Sequence, residues 1–150
     1  MKPALLLDRM ALDDVGGNPV RLGRAIHSQL GEIPGAVPVF EIAKALDIIE
    51  IRQEPLRHFE GALITPPERG WGSILVNSNS SRQRQRFTAG HELLHFLSPV
   101  HQPSIPEGFR CSRHDMTEHQ LNTSDRHRRQ EAEANAFSVE LLAPRSRIRR

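Results

Sequence analysis

The run His91-Glu92-Leu93-Leu94-His95 places two imidazoles and a carboxylate at a spacing suited to metal-assisted hydrolysis. On a helix, positions four apart lie about 40° apart around the axis, so His91 and His95 project from one face. Two neutral imidazoles at that separation can share one tetrahedral Zn²⁺, and Glu92 beside them can take a proton from a water. A helix that carries two histidines by chance is the ordinary alternative. Phe87, Ala89, Leu93, Leu94, Phe96 and Leu97 surround the motif with apolar side chains, so the helix is expected to be buried. Buried ionisable groups need a partner, and a metal would supply one.

Two histidines leave a catalytic zinc one protein ligand short of the usual three. Glu131-Ala132-Glu133-Ala134-Asn135 offers a carboxylate on a second helical segment. Glu131 and Asn135 are four apart and share a face with Ala134 and Ser138, whose small side chains permit close approach of the histidine helix. Asn135 can then accept a hydrogen bond from the outer nitrogen of a ligand histidine and fix its tautomer. Glu133 competes for the role of third ligand, but its face holds Phe137 and Glu140 and suits close approach less well; its ordinary reading is an exposed helix residue. The chain has no tyrosine to stabilise an oxyanion, which leaves a histidine, an arginine, a backbone amide or the zinc itself. His101, His114, His119 and His127 are the histidines available, each more simply read as a solvated surface residue. Cys111-x-x-His114, with His119 beyond, could hold a second, structural zinc, but a closed site needs four ligands and there is no second cysteine.

The elements that must position these groups follow from local signals. A short helix is expected in the apolar segment through Leu12. Asn18-Pro19 starts a helix that runs to Leu30 and stops at Gly31, and Pro38 opens another through Asp47 with Val39, Ile42, Ala43 and Leu46 on one face. Ile48 to Ile51, Ala62 to Thr65 and Ser73 to Val76 read as three short strands of an antiparallel meander. The motif helix is expected from near Ser81 to Ser98-Pro99. Val100 to Arg129 has no period and reads as a long loop, a flexible cover over the cleft. A last helix covers Arg129 to Leu142, closed by Pro144, with Ala134, Phe137 and Leu141 as its apolar stripe. The fold class is therefore α+β, with a small antiparallel sheet packed against helices, in one domain over 1–150.

With these residues placed, the chain resembles the ImmA/IrrE family of bacterial metallopeptidases, of the gluzincin type. Arg86-Phe87-Thr88-Ala89-Gly90-His91-Glu92-Leu93-Leu94-His95 is similar to that family's R-F-T-x-A-H-E-x-x-H helix, with Gly90 where Ala is usual. Glu131-Ala132-Glu133-Ala134-Asn135-Ala136-Phe137, followed by Leu141-Leu142-Ala143-Pro144, is similar to its E-x-E-A-N-x-F…L-L-M-P segment. Val37 to Ala43 and the strand Ile74 to Asn77 sit where the family has a short helix and a strand. The resemblance spans residues 37–144. It implies a zincin-like fold, a Zn²⁺ cofactor and His91, His95 and Glu131 as metal ligands, since the first Glu of the second motif is the family's third ligand. It also implies peptide hydrolysis with Glu92 as the catalytic base. The substrate it suggests is a protein, a DNA-binding helix-turn-helix repressor often encoded alongside the peptidase. The long insertion from Val100 to Arg129 departs from the family pattern, and no sensor domain is expected after Pro144.

Composition removes other classes. A net charge of +2 is too small to imply direct nucleic-acid binding, and the arginine clusters read as solvated faces. No apolar run reaches the length of a signal sequence core or a membrane span, and one cysteine excludes an internal disulfide framework. A cytoplasmic location is expected; the oligomeric state is not legible. The function read from the sequence is a zinc endopeptidase with a specific protein substrate. Its rival is a non-catalytic, zinc-stabilised interaction module of a phage or toxin–antitoxin type system. The meander from Ile48 to Val76 is expected to read the substrate, its last strand, Ser73 to Val76, directly before the motif helix, pairing with an extended peptide by strand addition.

Overall fold

A computed structural model describes residues 5–112 and 125–143. Local chemistry sets the helix starts. Asp8 caps α1 (Arg9–Asp13). Asn18 accepts from the Arg21 amide at 3.0 Å ahead of α2 (Pro19–Leu30), with Pro19 in the first turn where its missing N–H costs nothing. Gly31 closes that helix at φ 71, a backbone region that favours glycine. α3 (Val39–Ala45) buries Val39, Ile42 and Ala43. Ser81 caps α4 (Arg82–Leu97), which stops at Ser98, before Pro99. The last helix, α5 (Asp125–Leu142), starts four residues earlier than its apolar stripe suggests.

The strands are β1 (Ile48–Glu54), β2 (Gly61–Ile64), β3 (Gly72–Asn77) and β4 (Gly108–Cys111). They form one sheet in the order β1-β3-β2-β4. The fold is α+β as expected, but the sheet is mixed. β2 pairs antiparallel with β3 and β4, whereas β1 runs parallel to β3, so β1 and β3 are neighbours and β2 lies outside them. β4 falls inside the stretch expected to be a loop. The segment from Val100 to Cys111 is therefore fixed to the sheet over much of its length: Thr65 N–H donates to Glu107 O at 3.0 Å, and Ile105 and Gly108 exchange backbone hydrogen bonds. Residues 113–124, including His114 and His119, lie outside the described residues.

α4 packs on the sheet through β2 and β3, α5 packs on α4, and α2 covers α5. Being central, α4 is buried continuously from Thr88 to Leu97. Gly90 allows the α4–α5 approach: a β-carbon there would overlap Ser138 Oγ, which donates to Phe87 O at 2.8 Å. Ser138 is thus a physical reason for glycine where the resembled motif has alanine. Gly90→Ala gains about 1 kcal/mol of helix propensity but meets an overpacking cost of about 1–3 kcal/mol. We expect a net loss of stability in urea denaturation that Gly90→Ala/Ser138→Ala partly recovers. A Gly90→Ala protein as stable as its parent would show that the two helices part freely.

The substrate-reading role expected of Ser73 to Val76 does not survive this topology. β3 is hydrogen-bonded to β1 on one side and β2 on the other, so it has no open edge to offer a peptide.

Candidate metal centre

His91 and His95 project from α4 towards α5, where Glu131 meets both. His91 Nε2 lies 2.9 Å from Glu131 Oε1, and His95 Nε2 lies 3.0 Å from Glu131 Oε2. The two imidazoles and Glu131 are buried, with side-chain exposures of 0%, 0% and 8%. The outer ring nitrogens are held from behind. His91 Nδ1 pairs with Asn135 Oδ1 at 2.8 Å, the contact the helix spacing anticipates. His95 Nδ1 lies 3.0 Å from His101 Nδ1, and His101 Nε2 lies 2.7 Å from Glu133 Oε1. Phe109 of β4 stacks on the His95 ring at a centroid separation of 4.4 Å and fixes its plane.

These partners dictate the tautomers. Asn135 Oδ1 can only accept, so His91 Nδ1 carries the proton and Nε2 keeps its lone pair. Glu133 draws the proton of His101 to Nε2, which leaves His101 Nδ1 as acceptor for an N–H on His95 Nδ1. His95 Nε2 is then also a lone pair; it is buried and lacks hydrogen-bond geometry to any partner. Two imidazole lone pairs therefore face the two oxygens of one carboxylate at about 3 Å. Such an arrangement needs a cation or a proton between the groups. Without a metal, a proton answers the need. Burial pushes His91 down, but Glu131, Glu92 and Asn135 together outweigh it, so its pKa is displaced upward. Burial pushes His95 down to about 4 against the opposing pull of Glu131, so it stays neutral. Burial raises the Glu131 carboxyl, yet His95 and His91 hold it well below the usual carboxylate range. With zinc–ligand bonds of about 2.1 Å, tetrahedral donors are roughly 3.4 Å apart, close to the spacing found here. The residues fit a divalent metal.

Glu92 is fully buried on the sheet side of α4. A β-carbon on Gly61 of β2 would overlap Thr88 Cγ2 and come 3.2 Å from Glu92 Oε2, so glycine lets α4, with Thr88 and the Glu92 carboxylate, lie close beneath the sheet. Cys111 completes the surroundings. Its Sγ and one donor atom each from His91, His95 and Glu131 lie within 4.8 Å of one another.

The structure brings His91, His95, Glu131 and Asn135 together, and it buries Glu92 beside His91 on α4. Three contributors were missed. His101 is no solvated histidine; both of its ring nitrogens are engaged behind His95, which removes it as an oxyanion donor. Glu133 is no bystander, because it anchors His101. Arg69, between two prolines and a glycine, caps the end of α4. Its guanidinium donates to the carbonyls of His95, Ser98 and His101 at 2.6, 2.7 and 2.7 Å. The only available signals were a histidine soon after the motif and a second Glu two residues from the first. A separate site for Cys111 with His114 has too few ligands, and the sequence offers no other role for the thiol. The structure turns it towards His91 and His95.

Residues 48–150 match the model of the IrrE N-terminal-like domain of peptidase family M78. The chain belongs to this family. The match takes in all four strands, α4 and α5, and with them every donor of the cluster, so the buried His/His/Glu/Cys group sits within a metallopeptidase fold. No curated protein matches the chain. Among the described residues, no helix is long and apolar enough to cross a membrane.

The support behind His95 makes a quantitative expectation. Outer partners of metal-bound histidines are worth roughly 10–100-fold in metal affinity. His101→Ala should weaken zinc binding by about that factor in a chelator competition, and Glu133→Gln, which keeps an acceptor for His101, by less. Unchanged affinity in His101→Ala would show that Phe109 alone orients His95.

Proposed function

We propose that this M78 peptidase is a zinc-dependent endopeptidase that cuts one specific protein, a helix-turn-helix transcriptional repressor. The observation that carries the reading is the convergence of two imidazole nitrogens on one buried carboxylate, with a second carboxylate, Glu92, adjacent on the helix. His91, His95 and Glu131 hold the zinc. Asn135 and the His101–Glu133 pair orient the two rings. Zinc, when bound, supplies the positive charge that polarises a water and the scissile carbonyl. Glu92 takes the proton released by the attacking water and returns it to the leaving amine. A site made only for structure has no need of that carboxylate, which weighs against the non-catalytic reading.

The repressor is the substrate that the family resemblance suggests, and selectivity for a single protein agrees with it. A peptidase that works in the cytoplasm among essential proteins must discriminate, so recognition has to come from docking on a particular partner. The test is incubation of the zinc-loaded chain with co-encoded helix-turn-helix repressors and with unfolded casein. A single cut in one repressor, in the segment that joins its functional parts, with casein left largely intact, is expected. Digestion of casein at many sites would overturn the selectivity, and inertness towards every repressor would favour the non-catalytic module. In the same preparation Glu131→Ala should fall well below one zinc per chain.

A further inference from the structure

Cys111 is the chain's only cysteine, and it lies outside the ligand set of the proposed peptidase. It is the last residue of β4, 1% exposed, and two residues from Phe109, so strand alternation puts both side chains on the face that meets α4. Phe109 lies against His95, and the Cys111 sulfur comes within 4.8 Å of a donor atom on each of His91, His95 and Glu131. The set is two imidazoles, a carboxylate and a thiol. His95 Nε2, buried and without a hydrogen-bond partner, belongs to the same cluster. Three protein donors leave zinc an open position for water, whereas four close its tetrahedron. Cys111 also pairs in register with Gly61, the residue beneath which the Glu92 carboxylate sits. The thiol and the Glu92 carboxylate are therefore on the same face of the sheet, against α4.

We propose that Cys111 is a fourth protein ligand of the metal, so that the fold described here is a closed, latent form of the centre. The proposal rests on His91, His95 and Glu131 holding a metal. Cys111 occupies the position that a water would need, on the side served by Glu92. It sits at the end of β4, where withdrawing it would release the terminal Gly61–Cys111 pairing and the hydrogen bond from the Glu60 amide to Cys111 O, while Phe109 stays paired with Leu63 and stacked on His95. Latency of this kind provides a restraint on proteolysis that does not require a separate inhibitor.

Cobalt loading of the full chain tests the assignment directly. With a single cysteine, any thiolate-to-cobalt charge-transfer band in the near ultraviolet must come from Cys111. We expect one cobalt per chain with that band present, and Cys111→Ala still binding one metal without it. Removal of an inner ligand should weaken zinc binding by at least the roughly tenfold that even an outer partner is worth. Cys111→Ala should also cleave the repressor several-fold faster than the parent. A parent protein that binds one cobalt without the band overturns the proposal and leaves the three-ligand peptidase standing. Failure to bind cobalt or zinc at all removes the centre, and the proposal with it. The band together with a Cys111→Ala variant that cleaves no faster than its parent would refute latency, whatever the coordination.

Discussion

Glu92→Gln is expected to keep the fold and one zinc per chain while lowering repressor cleavage by roughly 10²–10⁴-fold, the usual worth of a positioned general base. Gln matches Glu in size, so the space under Gly61 that accommodates the carboxylate accommodates the amide. Glu92 is not among the residues that converge on the proposed zinc, so metal content should not move. An amide cannot take up a proton near neutral pH, and that single difference carries the predicted loss. The measurement is cleavage followed by mass spectrometry, alongside metal analysis of the same sample. Parent-like cleavage would remove Glu92 from the mechanism. Loss of zinc together with activity would instead make Glu92 part of the support of the site.

The residues that could be read in advance share one property: their relations are set within a turn or two of chain. His91 and His95 share a face because the helix has a fixed period, and the same period pairs Glu131 with Asn135. Asn18-Pro19 and Ser81 mark helix starts because a cap acts on amides two or three residues away. The preference for Glu131 over Glu133 rests on the small residues, Ala134 and Ser138, that share its face, and on the family resemblance. What escaped depends on contacts distant in sequence. The parallel pairing of β1 with β3 places β2 on the far side of β3, and nothing in three short apolar runs specifies that order. β4 has four residues with a glycine at its start, too little for a periodic signal. Its role comes from pairing with β2 across more than forty residues. His101 and Glu133 acquire their function only when the chain after α4 turns back against α5.

Arg69→Ala should be the most destabilising single change away from the metal, costing about 3–5 kcal/mol. Arg69 is 8% exposed, and its three short hydrogen bonds run to His95, Ser98 and His101. The His95 carbonyl belongs to the end of α4, where no further helical amide can satisfy it, whereas the Ser98 carbonyl also accepts from the His101 amide at 3.3 Å. A guanidinium there also complements the negative end of the helix dipole. Each buried carbonyl left without a donor costs about 1–3 kcal/mol, less whatever water can reach it. Burial, then the neighbouring Arg9, pushes the Arg69 pKa down, so desolvation offsets part of the gain and keeps the estimate below the simple sum. Arg69 adopts φ 59, a backbone as strained for alanine as for arginine, so the substitution reports the side chain alone. A loss of this size is a large part of the stability of a typical domain. Because one of the three carbonyls is that of His101, Arg69→Ala should also loosen the support of His95 and weaken zinc binding. Arg110→Ala is the control: Arg110 lies exposed over Phe59 and should change stability by less than about 0.5 kcal/mol. Urea denaturation of the metal-free proteins, with chelator competition on the same variants, measures both effects. An Arg69→Ala protein within 1 kcal/mol of its parent would mean that the end of α4, and the histidine it carries, is held by packing against Phe109 rather than by this arginine.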